Sequence, residues 1–439
     1  MRDYRVIADR IAADIAGGRL KPGDRLPPQR QFARRRGLAP STAARVYGEL
    51  VRRGLVTGEV GRGTFVRAAG PGVTPALAEP AAAPVDLELN FPVLPGQPER
   101  LAAALAGLAR PDALADALRP VGVTGDAELR EAAAAALSRG GWTPDPGQIL
   151  FPGNGRQGLA AAISALVPTG GRLGVEALTY PVVKGIAARL GVTLVPLPMD
   201  EHGVLPAGLG EVAAVYLQPT LHNPLGVTMS GPRRAEVAEA LRRKDIPLIE
   251  DGIYGFLRPE SPPLAALVPE RAVLVDSLSK RLAPGLTLGF AVAPTGVADR
   301  LAAALRSGAW AGSAFAMAAA RRWLGDGTAA GIEAAKRADA ADRQRLAAQH
   351  LSGFDLSADP GAYHLWWRLP APWRAETFVA AAARRGIAIT PAAAFAVVPG
   401  HAPNAVRLAL SAPPPGALAA ALDVLAELGR GVPEDTTVD

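Results

Sequence analysis

The chain has 439 residues, of which 49% are hydrophobic and 20% are charged, so it can form two or three domains with large cores and is not mostly disordered. It contains no cysteine, which excludes disulfides, thiolate catalysis and cysteine-based metal sites, and its five histidines lack a ligand-like spacing. We therefore expect no metal site. No apolar run approaches the roughly 20 residues of a membrane span and no apolar signal core follows Met1, so we expect a cytoplasmic protein without a membrane partner.

The net charge of +6 is distributed unevenly along the chain. Residues 1–68 contain 15 lysines and arginines against 6 acidic residues, a net charge of +9, which leaves −3 for residues 69–439. Nucleic acid is the commonest partner of such a basic segment, and a solvated charged face on a small helical domain is the alternative.

The first 68 residues have the pattern of three short helices followed by a hairpin. Apolar residues recur at helical spacing from Tyr4 to Ala16, Pro28 stands near the start of a second helix, and Ser41 is an expected N-cap for a third. The predicted elements are helices over 4–16, 28–36 and 42–53, and a hairpin of strands 55–57 and 64–66 around the glycine-containing turn 58–63. This arrangement predicts a winged helix-turn-helix.

In a winged helix-turn-helix the third helix enters the major groove with its N-terminal residues at the base edges. Ser41, Thr42 and Arg45 occupy that position and are the predicted base-contacting residues. Arg30, which opens the second helix, is expected to hold a phosphate or a guanine. Arg62, between two glycines at the tip of the wing, is expected to reach the DNA backbone or the minor groove.

Three runs in this segment resemble a known DNA-binding domain. They are Gly-Arg-Leu-Lys-Pro-Gly-Asp-Arg-Leu-Pro-Pro-Gln-Arg (18–30), Ala-Pro-Ser-Thr-Ala-Ala-Arg-Val-Tyr (39–47) and Gly-Arg-Gly-Thr-Phe-Val (61–66). Together they resemble the GntR-type winged-helix domain over nearly all of residues 4–66. The resemblance implies that double-stranded DNA, at a promoter or operator, is a partner.

A proline-rich segment follows the basic domain. Residues 68–85 contain four prolines and two glycines without any apolar period. An ordinary loop is the alternative, but eighteen residues without structure are long for a loop inside a compact domain, so we interpret the segment as a tether. The predicted organisation is a DNA-binding domain over 1–68, a linker over 69–85 and a second domain over 86–432.

From about residue 86, short apolar runs alternate with helical segments. The predicted strands are 173–175, 193–195, 212–217, 247–249, 272–276 and 288–293, with helices such as 182–190 and 233–243 between them. This alternation predicts an α/β domain with a mainly parallel sheet, and such sheets bind ligands at the carboxyl ends of their strands.

Three polar residues follow successive predicted strands at spacings of 28 and 29 residues: Asn223, Asp251 and Lys280. Each alone has an ordinary explanation, as a turn, an N-cap or a chance match. Only 5 of the 47 basic residues are lysine, so a lysine in this motif is less likely to be a generic basic residue. Pyridoxal phosphate needs a lysine amine for a Schiff base and a carboxylate beside its pyridine nitrogen. We therefore interpret Lys280 as the Schiff-base lysine and Asp251 as the partner of the pyridine nitrogen.

The remaining groups that the cofactor requires are also present. Asn223 and Tyr254 are placed to hold the phenolate oxygen, and Tyr180 is a candidate to stack on the ring. A glycine-rich turn precedes a helix predicted over 159–166, and such turns bind phosphate through backbone N–H groups and the helix dipole. The predicted phosphate-binding residues are Ser277, Gly155, Arg156 and Gln157.

Residues 87–428 resemble the fold type I, class I/II aminotransferase domain, with its large and small lobes. The resemblance implies pyridoxal phosphate as cofactor, assigns Lys280, Asp251 and Asn223 (of the Asn-Pro-x-Gly motif) the roles above, and matches Arg407 to the arginine that binds a substrate α-carboxylate. It also implies a homodimer. With the GntR-type domain in front, the whole chain is similar to the MocR subfamily of GntR-type bacterial transcriptional regulators.

Two positions depart from the family pattern. Thr287 stands seven residues after Lys280, where the family usually has a phosphate-binding arginine, and residues 118–124 lack the tyrosine that usually reaches the neighbouring subunit's phosphate. Arg156 and Arg281 are the candidates to replace the missing charge, and we expect Arg156 to do so.

These observations predict a DNA-binding transcriptional regulator whose aminotransferase-like domain binds pyridoxal phosphate and senses the cofactor or a small amino compound. The alternative is a pyridoxal-phosphate-dependent aminotransferase with an appended DNA-binding domain. His364, Trp366 and Trp367 are expected to pack in the core rather than to border the site.

Overall fold

The computed structural model describes residues 4–16, 19–21, 23–52, 55–59, 63–66, 83–398 and 401–433. Its N-terminal unit consists of α1 (Tyr4–Ala16), β1 (Arg25–Leu26), α2 (Gln29–Arg36), α3 (Pro40–Arg52), β2 (Val56–Glu59) and β3 (Gly63–Val66). The three strands form an antiparallel sheet in the order β1-β3-β2. Three helices and a small sheet confirm the predicted winged helix-turn-helix.

The helices of this unit pack their apolar stripes together. Ile7 and Ile11 of α1 meet Val46 and Leu50 of α3 in one buried cluster. Helix α2 ends at Gly37, whose φ of 61° is left-handed and is adopted most readily by glycine. Helix α3 begins at Pro40, two residues before the predicted start, because proline is tolerated in a first turn. The predicted N-cap, Ser41, therefore lies inside the helix.

Residues 83–433 form the second unit, and its elements alternate as predicted. The helices are α4 (Gln97–Leu105), α5 (Pro111–Ala117), α6 (Ala127–Leu137), α7 (Gly155–Leu166), α8 (Pro181–Leu190), α9 (Gly231–Arg243), α10 (Leu278–Arg281), α11 (Thr295–Ser307), α12 (Ala314–Gly325), α13 (Thr328–His350), α14 (Ala375–Arg384) and α15 (Pro415–Arg430). The strands of the large lobe are β5 (Ile149–Leu150), β6 (Arg172–Glu176), β7 (Thr193–Leu197), β8 (Met199–Asp200), β9 (Gly203–Val204), β10 (Ala214–Leu217), β11 (Leu248–Asp251), β12 (Ala272–Ser277) and β13 (Gly289–Val292).

The large lobe is built on a seven-stranded sheet in the order β5-β13-β12-β11-β10-β6-β7. Strands β7, β6, β10, β11 and β12 are parallel to their neighbours, whereas β13 runs antiparallel to β12 and β5. Successive residues of one strand enter hydrophobic clusters on opposite faces, as Leu248 and Ile249 do. Both faces are therefore covered, as is typical of parallel sheets.

The small lobe contains strands β4 (Val85–Asp86), β14 (Asp355–Ala358), β15 (His364–Arg368), β16 (Ile387–Ala388), β17 (Thr390–Pro391) and β18 (Ala405–Ala409). Four of them form an antiparallel sheet in the order β14-β15-β18-β17, and β4 pairs with β16. The predicted linker lies outside the described residues except for its last three, and Val85 already belongs to the small lobe. The α/β fold with large and small lobes is confirmed.

The N-terminal unit contacts the small lobe through Phe65. Val66 belongs to the hydrophobic cluster of its own unit, but Phe65, its neighbour in β3, does not. Phe65 is nevertheless only 4% exposed, and the Arg374 guanidinium carbon lies 4.5 Å from its ring centroid. Nearby, a Cβ added to Gly23 would lie 2.3 Å from a methyl carbon of Thr377. This contact links the small β-sheet of the N-terminal unit to the start of α14.

Across the described part of the chain, no helix has both the length and the apolar character to cross a bilayer. The same residues contain no cluster of three histidine or acidic side chains that could hold a metal ion.

Candidate functional site

A cavity of about 470 Å³ lies where the carboxyl ends of β10, β11 and β12 face the small lobe. It is lined by groups from both lobes and from the segment that enters the large lobe. The lining includes Glu88, Asn90, Phe91, Gly155, Arg156, Tyr180, Gln218, Asn223, Asp251, Tyr254, Ser277, Lys280, Thr287, Thr390, Phe395 and Arg407. Most of the residues that the sequence assigned to one site therefore lie around one cavity.

Lys280 lies on the short helix α10, directly after β12. Its amine donates a hydrogen bond to the carbonyl of Asn90 and lies 3.4 Å from the ring centroid of Phe91. Burial lowers the pKa of Lys280 well below its usual value, and the positive charges of Arg407, Arg156 and Lys336 lower it further. The uncharged amine favoured by this setting is the nucleophilic form that reacts with a carbonyl carbon.

Asp251 ends β11 and is held by three donors. The Tyr216 hydroxyl donates to its Oδ2 at 2.8 Å, the Gln218 side-chain amide donates to the same oxygen at 3.2 Å, and the N–H of Ile253 donates to its Oδ1 at 3.1 Å. Burial raises the pKa of Asp251 to about 7, although the Tyr216 hydrogen bond acts in the opposite direction. A cationic N–H placed against this carboxylate would compensate its desolvation.

Gln218 connects Asp251 to the loop that carries Asn223. Its backbone N–H donates to both carboxylate oxygens of Glu176 at 3.1 Å, and its side-chain oxygen accepts from the N–H of Asn223 at 2.7 Å. The single side chain therefore fixes the carboxylate and the asparagine relative to each other. Both Gln218 and Asn223 are buried, so water does not compete for these hydrogen bonds.

Arg407 reaches the cavity from β18 in the small lobe. Its guanidinium donates to Asn223 Oδ1 at 3.1 Å, to the Thr390 hydroxyl at 3.1 Å and to the carbonyl of Glu88. Its Nε is buried and has no hydrogen-bond partner among the described residues. A planar guanidinium with a free donor in a buried cavity is suited to a carboxylate ligand.

The aromatic groups of the site are fixed by polar partners. The Tyr254 hydroxyl accepts from Asn90 Nδ2 at 3.1 Å, and burial raises the pKa of Tyr254. The Tyr180 hydroxyl accepts from Arg156 Nε at 3.3 Å. Burial also raises the pKa of Tyr180, so both phenols stay protonated and can donate to a ligand.

Helix α7 begins at Gly155, four residues earlier than predicted, and its N-terminus faces the cavity. Asn154 caps the helix by accepting the N–H of Gln157 at 3.0 Å, and the N–H groups of Gly155 and Arg156 have no acceptor within the helix. A Cβ added to Gly155 would lie 3.3 Å from the Ser277 hydroxyl. The glycine thus leaves room beside Ser277 for an anionic group.

Two predicted phosphate-binding residues do not line the cavity. Arg281 is 2% exposed and bound to Asp276 and Glu333, each at 2.7 Å, because the residue after Lys280 on α10 points about 100° away from it. These acidic partners raise the pKa of Arg281 despite its burial, so it stays charged and fully engaged. Gln157 directs its side chain towards Gly153, and its backbone N–H, which the turn was predicted to offer to a phosphate, donates to Asn154 Oδ1 at 3.0 Å. The expectation that Arg281 and Gln157 bind phosphate is therefore corrected.

The aromatic run in β15 packs in the core, as expected. His364 Nε2 lies 3.0 Å from the carbonyl of His222, and burial lowers the pKa of His364 to about 3. Trp366 packs edge-on against Phe395, and Trp367 is fully buried beside Phe378. None of the three β15 side chains lines the cavity.

The predicted DNA contacts lie on α2 and α3. Arg30, Ser41 and Arg45 are exposed, and Thr42 is half-buried. Ser41 and Arg45 are four residues apart on one helix and so share a face. Arg62, predicted for the tip of the wing, lies outside the described residues.

The sequence reasoning missed several residues of the cavity. Tyr216 and Gln218 were predicted only as part of a strand and the loop after it, although two polar side chains at alternate positions beside the apolar Val215 and Leu217 were a usable signal. Asn90 and Phe91 carried no signal, because they follow the proline-rich segment without any periodic pattern. Thr390 comes from β17, which is only two residues long.

Comparison with known proteins gives two family matches. Residues 103–425 match the family model of aminotransferase class I and II, and residues 3–66 match that of the bacterial regulatory proteins of the gntR family.

Relatives of this chain are named as HTH-type transcriptional regulators. The uncharacterized HTH-type transcriptional regulator YdeF of Bacillus subtilis is 29% identical over 422 residues, covering 93% of this chain and 90% of that protein. The HTH-type pyridoxine biosynthesis transcriptional regulator PdxR of Corynebacterium glutamicum is 28% identical over 308 residues, or 67% of each chain.

Solved structures share the fold of the second unit. An archaeal alanine:glyoxylate aminotransferase superimposes with a TM-score of 0.71 at 22% identity, covering 78% of this chain and 90% of the other. LysN, an α-aminoadipate aminotransferase from Thermus thermophilus, superimposes with a TM-score of 0.70 at 21% identity, covering 78% of this chain and 91% of LysN. The chain belongs to the aminotransferase class I and II family, and its gntR-family N-terminal domain gives it the domain architecture of the MocR subfamily of transcriptional regulators.

Proposed function

We propose that this protein is a DNA-binding transcriptional regulator whose aminotransferase-like domain binds pyridoxal phosphate, alone or with a small amino compound, and thereby changes operator binding. One observation carries the proposal: the cavity that gathers Lys280, Asp251 and Arg407 belongs to a chain that begins with a winged helix. The names of the relatives, HTH-type transcriptional regulators in both cases, support the same conclusion.

The residues of the cavity fit pyridoxal phosphate. The cofactor supplies an electrophilic carbonyl carbon and an electron-withdrawing ring when it is bound. Lys280 offers the amine that would hold the carbonyl carbon, and Asp251 offers the carboxylate that would keep a proton on the ring nitrogen. Ser277, Gly155 and Arg156, which line the same cavity, would hold the phosphate. Unpartnered buried atoms support the fit, because Asn90 Oδ1 is available to a donor on the ligand.

An amino acid or related amine fits beside the cofactor. Arg407 can bind a carboxylate through its free Nε, and Asn223 holds one of its other nitrogens in place. Lys280 would hold the carbonyl carbon of the cofactor through its own amine, so a ligand that competes for that carbon must also carry a primary amine. The ligand class is therefore a small primary amine, with or without a carboxylate.

A chain of contacts connects Arg407 to the DNA-binding domain. Asn404, directly before β18, accepts the N–H of Ala375 at 2.9 Å and donates to the carbonyl of Trp373 at 2.9 Å. Arg374, between these two residues, stacks on Phe65 of the winged helix. A ligand that moves the strand carrying Arg407 would therefore also move Arg374, the residue that stacks on Phe65 of the winged helix. The ligand can shift the balance between two positions of that strand only by its difference in affinity for them.

A homodimer is also part of the proposal, because two winged helices would read two half-sites. Exposed apolar side chains support association: Leu118 is 79% exposed, and Phe315 is 47% exposed. Sedimentation of the purified protein tests this directly, and a monomer at micromolar concentration would contradict it.

The test of the regulator is a footprint. The full-length protein is used to select fragments of its own genome, and the bound sites are mapped with and without pyridoxal phosphate and with added amines. We expect a discrete site whose affinity changes with cofactor, and no such change in Lys280→Ala. Absence of sequence-specific binding would overturn the proposal.

The alternative, an aminotransferase with an appended DNA-binding domain, has one observation in its favour. Lys280 and Asp251, the two residue types that the chemistry requires, line the same cavity. Multiple turnovers with an amino donor and a 2-oxo acid would favour the enzyme, whereas at most one turnover per subunit would favour the regulator.

A further inference from the structure

A second lysine lies directly behind Lys280. Lys336, on α13, has no exposed surface, and its amine donates to the carbonyl of Lys280 at 2.9 Å and to the carbonyl of Leu282 at 2.5 Å. The Gln97 side-chain amide donates to the same Leu282 carbonyl at 3.0 Å. Lys336 is one of only five lysines in the chain, and none of the roles described above uses it.

The two carbonyls need such a donor because α10 is only four residues long. The last carbonyls of a helix have no partner within it, and a buried carbonyl without a partner costs free energy. At Leu282 the backbone leaves helical geometry, with φ −113° and ψ −93°. The chain therefore turns sharply just after Lys280, and Lys336 satisfies a carbonyl on each side of Arg281.

We propose that Lys336 is a positioning residue for Lys280: its buried amine holds the backbone of α10 from behind and so fixes where the Lys280 amine can reach in the cavity. The proposal rests on the proposed role of Lys280 as the cofactor-binding lysine. Its own support is geometric, since Lys336 bonds to Lys280 through the main chain and leaves the Lys280 side chain free.

The charges around Lys336 are already committed to other partners. Glu333 is bound by Arg281, and Asp339 is bound by Arg343 at 2.7 Å. Tyr363 donates to the Lys336 carbonyl at 2.8 Å and to Asp339. Burial lowers the pKa of Lys336 to about 7, and when Lys336 is charged it adds to the other effects that lower the pKa of Lys280. Lys336 thus also favours the uncharged form of Lys280.

The experiment measures Lys280 in the cofactor-free protein. The rate of acetylation of Lys280 is followed against pH by peptide mass spectrometry, and the pH midpoint reports the pKa of that amine. In Lys336→Met we expect the midpoint to rise by about one unit, because a nearby positive charge is lost and α10 loosens. Lys336→Arg, which keeps charge and donors, should restore the wild-type midpoint. The control Lys244→Met, a lysine that also donates to a backbone carbonyl, should leave it unchanged.

A second readout is the dissociation constant for pyridoxal phosphate. We expect it to rise about tenfold in Lys336→Met, because that change corresponds to the loss of roughly one hydrogen bond to a charged group. A folded Lys336→Met protein with both values unchanged would overturn the proposal. If Lys336→Met does not fold, Lys336→Gln replaces it in the experiment. A midpoint of Lys280 acetylation in Lys336→Gln equal to that in Lys336→Arg would then overturn the proposal. Failure of the wild type to bind cofactor would contradict the proposed function alone, because the acetylation midpoint needs no cofactor.

Discussion

The hydroxyl of Ser279 lies 2.7 Å from the hydroxyl of Thr287, and both residues line the cavity beside Lys280. In the family that the chain resembles, an arginine is usual at the position of Thr287. Two hydroxyls can offer hydrogen bonds to a phosphate but no charge. Arg281 is bound to Asp276 and Glu333, so of the two arginines proposed for the phosphate only Arg156, on α7, lines the cavity.

Arg156→Ala should therefore weaken pyridoxal phosphate binding by about tenfold to a hundredfold, because the variant loses one charge-assisted hydrogen bond. The measurement is an absorbance titration of the cofactor-free protein. Arg300→Ala, an exposed arginine on α11, is the control and should bind as the wild type does. Adding Thr287→Arg to Arg156→Ala should recover affinity, since the charge returns at the usual position. An unchanged dissociation constant in Arg156→Ala contradicts the assignment.

Lys280→Ala should remove the visible absorbance of the bound cofactor while the protein stays folded. Among the described residues the Lys280 amine donates one hydrogen bond, to the carbonyl of Asn90, so its loss does not empty the core. Absorbance spectroscopy measures the bound cofactor and circular dichroism checks that the protein is folded. Lys244→Ala is the matched control for both measurements. Retained absorbance in Lys280→Ala would show that another lysine holds the cofactor.

Asp251 should make the cofactor-free protein less stable as the pH rises. Its pKa is raised in the folded state to about 7, so its contribution to stability is complete below about pH 4 and is lost as the pH rises through 7. The shift corresponds to at most about 4 kcal/mol. Asp251→Asn should therefore show a flatter decrease of Tm between pH 5 and pH 8 than the wild type.

The control for this experiment is Asp299→Asn, an exposed carboxylate on α11 that should keep the wild-type slope. Parallel slopes for the wild type and Asp251→Asn would mean that Asp251 is already ionised in the cofactor-free protein. Saturating cofactor should also flatten the wild-type slope, because a protonated ring nitrogen stabilises the carboxylate.

The residues that the sequence placed correctly at the cavity share a physical reason. Asn223, Asp251 and Lys280 follow successive parallel strands, and the carboxyl ends of such strands meet at one edge of the sheet. Spacing along the chain therefore becomes proximity in space. The pattern gives no such constraint on Asn90, which reaches the cavity from the segment that follows the linker and meets Tyr254 at a separation of 164 residues.

The errors have local causes. Arg281 was a reasonable cation by position, but one step along a helix rotates a side chain by about 100°, so residue 281 enters the core when residue 280 enters the cavity. Strand β1 was missed because two residues are too few to show the alternation of apolar and polar side chains that marks a strand. It forms because it pairs with β3. The start of α3 at Pro40 was misplaced because helix boundaries depend on caps that several residues could supply.

Arg45→Ala should weaken operator binding by about 1–3 kcal/mol if its guanidinium reaches a base edge. Arg45 is exposed on α3 and shares a face with Ser41. A gel-shift titration on the mapped operator gives the value, and a scrambled operator separates base recognition from phosphate contact. Equal loss on both sequences would assign Arg45 to the phosphate backbone, and no loss would remove it from the interface.

Phe65→Ala should uncouple the two domains without unfolding either. Phe65 is absent from the hydrophobic cluster of the winged helix and its ring contacts the Arg374 guanidinium, so its truncation weakens the contact between domains. The measurement is the ratio of operator dissociation constants with and without pyridoxal phosphate. In Phe65→Ala this ratio should move towards 1, while binding by the cofactor-free protein stays near the wild-type value. Arg374→Ala removes the other side of the same contact and should give the same result. If both variants keep the wild-type ratio, the signal from the cavity reaches the DNA-binding domain by another route.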